Sequence, residues 1–296
     1  GTYDGAAHIA DMALDGVHGA VLYPDFMRKV YEWPDQEIGL ACIRAYNDWL
    51  LDEFCAADPA RLVGMCMLPT EYGLDELVGE AKRVLRKGAR GFFLPYYPSR
   101  PLHDPYYDPL WAVISDGGAV ASLHSGFGGT RPPVNAPRPP GLENTDVTWA
   151  GPVLSYFSAI QPLTSLIFSG TFQRFPTLKF LAAEVNGGWV PYWMQEMHDT
   201  LARGVQRQGR TLTFEPGDCV GRNVFVTVLA DRIGFKLARE DERLANAMLY
   251  STDYQHSITL WPHSQEVIPG LTAGMDDRIK HNILAGNAVR IFNLPE

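Results

Sequence analysis

The sequence predicts an α/β protein built as a (β/α)8 barrel, and two observations support that prediction. Short apolar strands alternate with helices along the whole chain, a pattern typical of parallel βαβ units. Polar side chains directly follow several of these strands, and catalytic groups of barrel enzymes collect at the carboxyl ends of strands. An open, doubly wound sheet is less well supported, because no GxGxxG motif stands at a first strand–helix turn.

The first half of the chain alternates helices with strands. Apolar residues at helical spacing predict helices over residues 4–15, 34–57, 75–87 and 107–116. Apolar runs predict strands over residues 17–23, 62–68, 89–94 and 119–124. A proline follows each of the first three strands, and proline cannot donate the next backbone hydrogen bond of a sheet.

The second half continues the alternation after a long loop rich in glycine and proline, residues 125–148. Loops of this length are usually functional or disordered. Helices are predicted over residues 152–169 and 189–208 and from about Ser264 onwards, with strands over 178–183, 223–229 and 248–252. The strands then number seven where a barrel needs eight, and because a helix opens the chain, the absent strand would be the first.

Composition narrows the classes of function. The net charge of −9 and the lack of any Lys/Arg cluster argue against a nucleic-acid partner. No apolar run approaches the length of a membrane span, and the start of the chain lacks the pattern of a signal peptide. Four cysteines without CxxC spacing are typical of reduced core thiols in a cytoplasmic protein. No linker or repeat divides the chain, so residues 1–296 are interpreted as a single domain.

Two strand ends carry potential metal ligands. His124 ends the fourth predicted strand, and Asp253 follows the last. Imidazole and carboxylate are both ligands of divalent metals, and the metal would lower the pKa of a bound water. The alternatives are a buried core histidine and an aspartate that caps a helix, although Ser257 and Thr259 could serve as that cap.

Further ionisable residues stand near these ends. Glu184 follows the strand 178–183 and is a candidate general acid or base, or a hydrogen-bond partner of a metal-bound histidine. An ion pair or a helix cap is the alternative. His256 lies three residues after Asp253 and could orient it or contact substrate. His263 is a weaker candidate for the same role, since histidines of surface loops are common.

Four residues are candidates for substrate binding. Arg131 and Arg138 lie in the Pro-rich loop, and the guanidinium fork suits the carboxylate of an organic acid. Trp189 and Trp261 stand near strand ends and could line a pocket for an aromatic or unsaturated substrate, with core packing as the alternative. The run Gly-Phe-Gly-Gly-Thr after His124 lacks the ending of a P-loop, and no GxSxG elbow exists for a serine nucleophile.

Three segments resemble the amidohydrolase-2 family, which groups metal-dependent hydrolases with enzymes of the aminocarboxymuconate-semialdehyde decarboxylase type. They are SGTFQRFPTLKFLAAEVNGGWVPY from residue 169, YSTDYQH from residue 250 and LAGNAVRIF from residue 284. The resemblance implies a distorted TIM barrel with one divalent metal, usually zinc, at the C-terminal mouth. It also implies that His124 and Asp253 match two of the metal ligands, and it makes a homodimer plausible.

The sequence departs from the family pattern in two ways. The His-x-His pair that ends the family's first strand has no counterpart, so we expect that strand to lie upstream of residue 1; otherwise the metal has been lost. Glu184 stands where decarboxylases of the group typically carry a histidine, which weakens the decarboxylase interpretation.

The sequence thus predicts a zinc-dependent hydrolase of a small carboxylated or cyclic organic substrate. His124 and Asp253 would hold the metal, Asp253 would serve as base, and Glu184 or His256 would assist proton transfer. The alternatives are a non-oxidative decarboxylase of the same family and a metal-free barrel without catalytic activity.

Overall fold

Seven parallel strands form the centre of the molecule in a computed structural model that describes residues 1–125, 150–208 and 212–295. Each strand pairs with the next one along the chain, so the order across the sheet is the order in the sequence. The strands are β1 (Ala20–Leu22), β2 (Leu62–Met67), β3 (Gly91–Leu94), β4 (Val120–His124), β5 (Lys179–Ala183), β6 (Val224–Val228) and β7 (Met248–Tyr250).

Helices connect these strands in the manner of βαβ units. Those before β5 are α1 (Gly5–Leu14), α2 (Gln36–Trp49), α3 (Leu74–Arg86), α4 (Asp108–Asp116), α5 (Ala150–Ser155), α6 (Ile160–Phe168) and α7 (Thr171–Arg174). Those after it are α8 (Val190–Gln208), α9 (Arg232–Leu237), α10 (Glu242–Ala247), α11 (Ser264–Thr272), α12 (Asp277–His281) and α13 (Asn287–Phe292). Within the described ranges, no helix is long and apolar enough to span a membrane.

The strands are buried on both faces because successive side chains point to opposite sides of the sheet. One set fills the space inside the curled sheet and comprises Val63, Met65, Met67, Phe93, Val120, Leu181, Phe225 and Leu249. The alternate set packs outward against the helices and includes Leu62, Cys66, Phe92, Leu123, Phe180 and Val226. This two-sided burial explains why the strands read in the sequence as continuous apolar runs.

The curled sheet is of the predicted (β/α)8 class, and the described residues contain no strand that corresponds to the first one of such a barrel. In the described part of the chain, β1 pairs only with β2 and β7 only with β6. Residues of both open edges line one cavity of about 1080 Å³. Seven of the eight strands that the fold requires are therefore present, in the expected order.

Helix α1 and the residue that follows it are hydrogen bonded to the segment after β7. The Trp261 indole donates to the Asp11 carbonyl at 2.7 Å, and the Tyr254 hydroxyl donates to the Asp11 carboxylate at 2.6 Å. The buried Asp15 carboxylate accepts from the Ser264 backbone N–H at 2.7 Å and from its hydroxyl at 2.6 Å. The N-terminal helix therefore joins the region before β1 to the region after β7.

Two expectations about the helices differ from the structure. The helix predicted over residues 152–169 is two helices, α5 and α6, separated by a turn in which the Ser158 hydroxyl donates to the Ser155 carbonyl at 2.6 Å. Helices α9 and α10 were not predicted from the sequence. Each is short, but each begins with an aspartate N-cap, Asp231 or Asp241, which is a recognisable start signal.

Candidate metal centre

The carboxyl ends of three strands bring the predicted catalytic groups to one mouth of the barrel. His124 is the last residue of β4 and lies opposite Ala183, the last residue of β5. Glu184 is the residue after Ala183 and therefore lies beside His124. Asp253 lies three residues after the end of β7. In a parallel sheet these ends face the same side, so side chains far apart in the sequence meet there.

Both carboxylates stand on unusual backbone. Glu184 has a φ of +55° and Asp253 a φ of +51°. Both values lie in the left-handed region, which residues other than glycine rarely adopt. The Glu184 N–H donates to the Thr227 hydroxyl at 2.7 Å, and the Asp253 N–H donates to the Ser251 hydroxyl at 3.4 Å. Such conformations cost about 1–3 kcal/mol and concentrate at functional sites.

The imidazole of His124 is buried and has a defined orientation. Its Nδ1 lies 2.9 Å from the carbonyl oxygen of Ser125, and because that oxygen only accepts, Nδ1 carries the hydrogen. In the neutral ring, Nε2 then presents a lone pair, and Nε2 lies 3.2 Å from Oε1 of Glu184. Two acceptors face each other at this distance, an arrangement that a proton or a metal cation stabilises.

The remaining contacts link Glu184 and Asp253 through His256. Ser125 donates its hydroxyl to Oε2 of Glu184 at 3.2 Å. Nδ1 of His256 lies 2.7 Å from Oδ1 of Asp253 and 3.6 Å from Oε1 of Glu184. The Asp253 side chain is only 5% exposed, and its Oδ2 is buried without a hydrogen-bond partner among the described residues.

The two carboxyl groups titrate in opposite directions. Burial raises the pKa of Asp253 to about 7, and the nearby negative charge of Glu184 contributes to the increase. Burial also acts to raise the pKa of Glu184, but the hydrogen bond and the charge that His124 supplies in its protonated form outweigh burial and lower that pKa to about 2. Two carboxylates this close repel each other, so a cation between them would allow both to ionise.

The donor set fits a divalent metal. One ligand atom each from Glu184, Asp253 and His256 lies within 4.8 Å of the others. His124 is not part of that group, but its Nε2 lies 3.2 Å from Oε1 of Glu184. Carboxylate oxygens and imidazole nitrogens are ligands of zinc and manganese alike. The buried, unpartnered Oδ2 of Asp253 is the strongest sign of a missing partner, since buried polar atoms are normally hydrogen bonded.

Tyr23 and Ser122 also belong to this site, although the sequence analysis did not select them. Ser122 donates its hydroxyl to the Leu181 carbonyl at 2.8 Å, so the Tyr23 hydroxyl is the donor to Ser122 Oγ at 2.7 Å. The Tyr23 ring meets the His124 ring edge-on, with centroids 4.9 Å apart. Ser122 was detectable in principle, because it stands two residues before His124 and so shares its face of β4.

Two of the four predicted substrate-binding residues lie in the described part of the chain, and neither of them is close to these groups. Arg131 and Arg138 lie outside the described residues. The Trp189 indole donates to the Val185 carbonyl at 2.9 Å and packs on Trp193. Trp261 stacks on Tyr254, and neither it nor Trp189 is among the described residues that line the large cavity.

His263, the weaker candidate, lies elsewhere. Its imidazole is 64% exposed and pairs with Glu266 at 3.0 Å.

Comparisons with known proteins agree with this architecture. The model of the amidohydrolase family Amidohydro_2 matches residues 23–294. A comparison with curated proteins finds no match.

Solved structures with the same fold include three decarboxylases. The 5-carboxyvanillate decarboxylase of Sphingomonas paucimobilis has a TM-score of 0.77 at 20% identity, covering 98% of this chain and 83% of that one. The 2,6-dihydroxybenzoate decarboxylase of Rhizobium has a TM-score of 0.75 at 20% identity, with coverages of 97% and 87%. A 5-carboxyvanillate decarboxylase variant of Novosphingobium aromaticivorans with bound manganese has a TM-score of 0.76 at 18% identity, with coverages of 97% and 80%.

Proposed function

Because the chain belongs to the amidohydrolase family Amidohydro_2, we propose that it is a divalent-metal decarboxylase of small aromatic carboxylic acids. The observation that supports this most is that four ionisable side chains contact one another at the carboxyl ends of the strands: His124, Glu184, Asp253 and His256. Similar structures are named as decarboxylases of hydroxylated benzoic acids. This reverses the order of the sequence interpretation, which placed hydrolysis first.

His124 and Asp253 would hold the metal. The tautomer fixed by the Ser125 carbonyl directs the Nε2 lone pair of His124 towards the site, and Asp253 contributes its unpartnered Oδ2. A bound divalent ion would act as a Lewis acid on the oxygens of the substrate. Zinc was expected from the sequence, whereas manganese is present in similar structures, and the ligand types suit both.

The reaction consumes one proton, which would reach the substrate through Asp253, Glu184 and His256. Decarboxylation breaks the bond between the ring carbon and the carboxylate, and that carbon gains one proton as CO2 leaves. His256 is 48% exposed and lies 2.7 Å from Asp253, so the pair can exchange protons with solvent. Nδ1 of His256 also lies 3.6 Å from Oε1 of Glu184, so all three groups adjoin one another.

The cavity suits a small organic acid. Its volume of about 1080 Å³ is ample for one aromatic ring with its substituents, and Tyr23 and His124 both line it. Arg131 and Arg138 are retained as predicted partners of the substrate carboxylate. Trp189 and Trp261, which the sequence suggested as contacts of an aromatic substrate, do not line this cavity.

The decarboxylase proposal is tested with a panel of hydroxylated benzoic acids in deuterium oxide, with Mn²⁺ or Zn²⁺ supplied. We expect one CO2 for each substrate consumed and one deuterium at the carbon that carried the carboxylate. Asp253→Asn should abolish turnover, and His263→Gln should leave it unchanged. Turnover without CO2, or equal rates in Asp253→Asn, would contradict the proposal.

Metal-dependent hydrolysis is the second candidate. It is favoured by Glu184, which occupies the position where decarboxylases of this group typically carry a histidine and which contacts both His124 and His256. A carboxylate there can accept a proton from a metal-activated water. Consumption of one water per turnover on cyclic esters or amides, without release of CO2, would establish this activity instead.

A further inference from the structure

We propose that Glu184 is itself a ligand of the divalent ion, together with His124 and Asp253, which makes this a carboxylate-rich metal centre. The inference rests on the metal site of the proposed function but does not depend on which reaction occurs there. It concerns the position at which the sequence departs from the pattern of its group.

The two oxygens of Glu184 have different surroundings. Oε2 accepts from the Ser125 hydroxyl at 3.2 Å, which fixes the orientation of the carboxylate. Oε1 lies 3.2 Å from His124 Nε2 and 3.6 Å from His256 Nδ1. Ligands that share one ion at about 2.1 Å stand roughly 3 Å apart when they are adjacent, so Oε1 and Nε2 already have the spacing of two neighbouring ligands.

Asp253 supplies an independent observation. Its Oδ1 is satisfied by His256 at 2.7 Å, whereas Oδ2 is buried and receives no hydrogen bond from the described residues. A carboxylate oxygen of Asp253 lies within 4.8 Å of a carboxylate oxygen of Glu184. A buried acceptor without a donor, next to a second carboxylate, is the environment that a cation completes.

The backbone around Glu184 is arranged to deliver this side chain. Ala183 points into the barrel, so an ordinary extended residue after it would point outward. The positive φ of Glu184, held by the N–H bond to Thr227, changes that direction and brings the carboxylate beside His124. Direct binding of the ion by Glu184 therefore explains why this residue adopts a strained backbone conformation.

A set of one imidazole and two carboxylates predicts a particular metal preference. Carboxylate oxygens suit Mn²⁺ and Mg²⁺, whereas imidazole is a better partner for Zn²⁺. Replacing Glu184 with histidine should therefore move the selectivity of the site from manganese towards zinc. A role for Glu184 limited to proton transfer would predict no such change.

The test is a titration of the metal-free full chain with Mn²⁺, in which free Mn²⁺ is followed by electron paramagnetic resonance, and a parallel competition with Zn²⁺. We expect Glu184→Gln to weaken Mn²⁺ binding by more than about a hundredfold, beyond the roughly 10–100-fold loss typical of a residue that only orients a metal-binding histidine. Glu184→His should retain binding but shift the ratio of the Zn²⁺ and Mn²⁺ affinities towards Zn²⁺. Glu37→Gln makes the same chemical change on the exposed start of α2 and should alter neither affinity.

The outcomes separate this inference from the proposed function. Unchanged Mn²⁺ affinity in Glu184→Gln, with binding lost in Asp253→Asn, would overturn the role of Glu184 and leave the metal site in place. Loss of Mn²⁺ binding in Glu184→Gln, with the fold intact by circular dichroism, would support the role even if the wild-type protein released no CO2. Equal metal selectivity in Glu184→His and the wild type would also overturn it.

Discussion

Nδ1 of His256 lies 2.7 Å from Oδ1 of Asp253, and this contact joins a half-exposed imidazole to a buried carboxylate. The pair provides a path by which a proton can pass between solvent and the interior of the barrel mouth. The opposite oxygen of Asp253 remains available for the metal. Proton transfer and metal binding can therefore be separated by mutation.

Substitution of His256 should affect turnover far more than metal affinity. We expect His256→Gln to lower kcat by about a hundredfold or more, which is typical for loss of a general acid or base. Its Mn²⁺ affinity should stay within a few-fold of the wild type. His263→Gln is the matched control, since His263 lies seven residues away on the exposed surface and should leave kcat unchanged. Equal kcat values for His256→Gln and the wild type would remove His256 from the mechanism.

The hydroxyl of Tyr23 should contribute to stability rather than to metal binding. Tyr23→Phe removes the donor to Ser122 Oγ but keeps the ring that meets His124. We expect the free energy of unfolding, measured in urea, to fall by about 1 kcal/mol, with Mn²⁺ affinity retained. Tyr192→Phe, at an exposed position of α8, should change neither quantity. A large loss of Mn²⁺ affinity in Tyr23→Phe would show that the hydroxyl acts on the site directly.

The cysteines should differ sharply in reactivity towards Ellman's reagent. Burial raises the pKa of Cys55 to about 11, raises that of Cys219 to about 12, and raises that of Cys66 as well. Only the thiolate reacts, so these three should modify slowly, and Cys42, which is partly exposed, should account for the fast phase. All four should react after denaturation. A fast phase of more than one thiol per native chain would contradict this burial pattern.

The sequence predicted much of the fold because its strands carry strong signals. The runs that became β4 and β5 are mostly apolar, and His124 ends the first while Glu184 follows the second, so their positions were predicted to within one residue. Boundaries were poorer where the signal was weak: β1 is confined to Ala20–Leu22 within the predicted stretch 17–23. Helices α9 and α10 are too short for helical periodicity to be visible, which is why their aspartate caps were overlooked.

The candidate site was only partly predictable. His124, Glu184 and Asp253 could be proposed because each follows an apolar run, and parallel strands bring such ends together. A contact of Glu184 with a metal-bound histidine could be proposed, but its geometry beside His124 could not, because it depends on the positive φ of Glu184 and on the Thr227 hydroxyl 43 residues later. Tyr23 and Ser122 interact across 99 positions, a separation over which no local sequence pattern operates.

The proposed site requires a bound divalent metal, and the decisive measurement is the metal content of the purified protein. We predict about one manganese or zinc ion per chain by elemental analysis, with the ion lost in Asp253→Asn and retained in His263→Gln. The absence of bound metal in the wild-type protein after reconstitution with Mn²⁺ and Zn²⁺ would contradict the proposed metal centre.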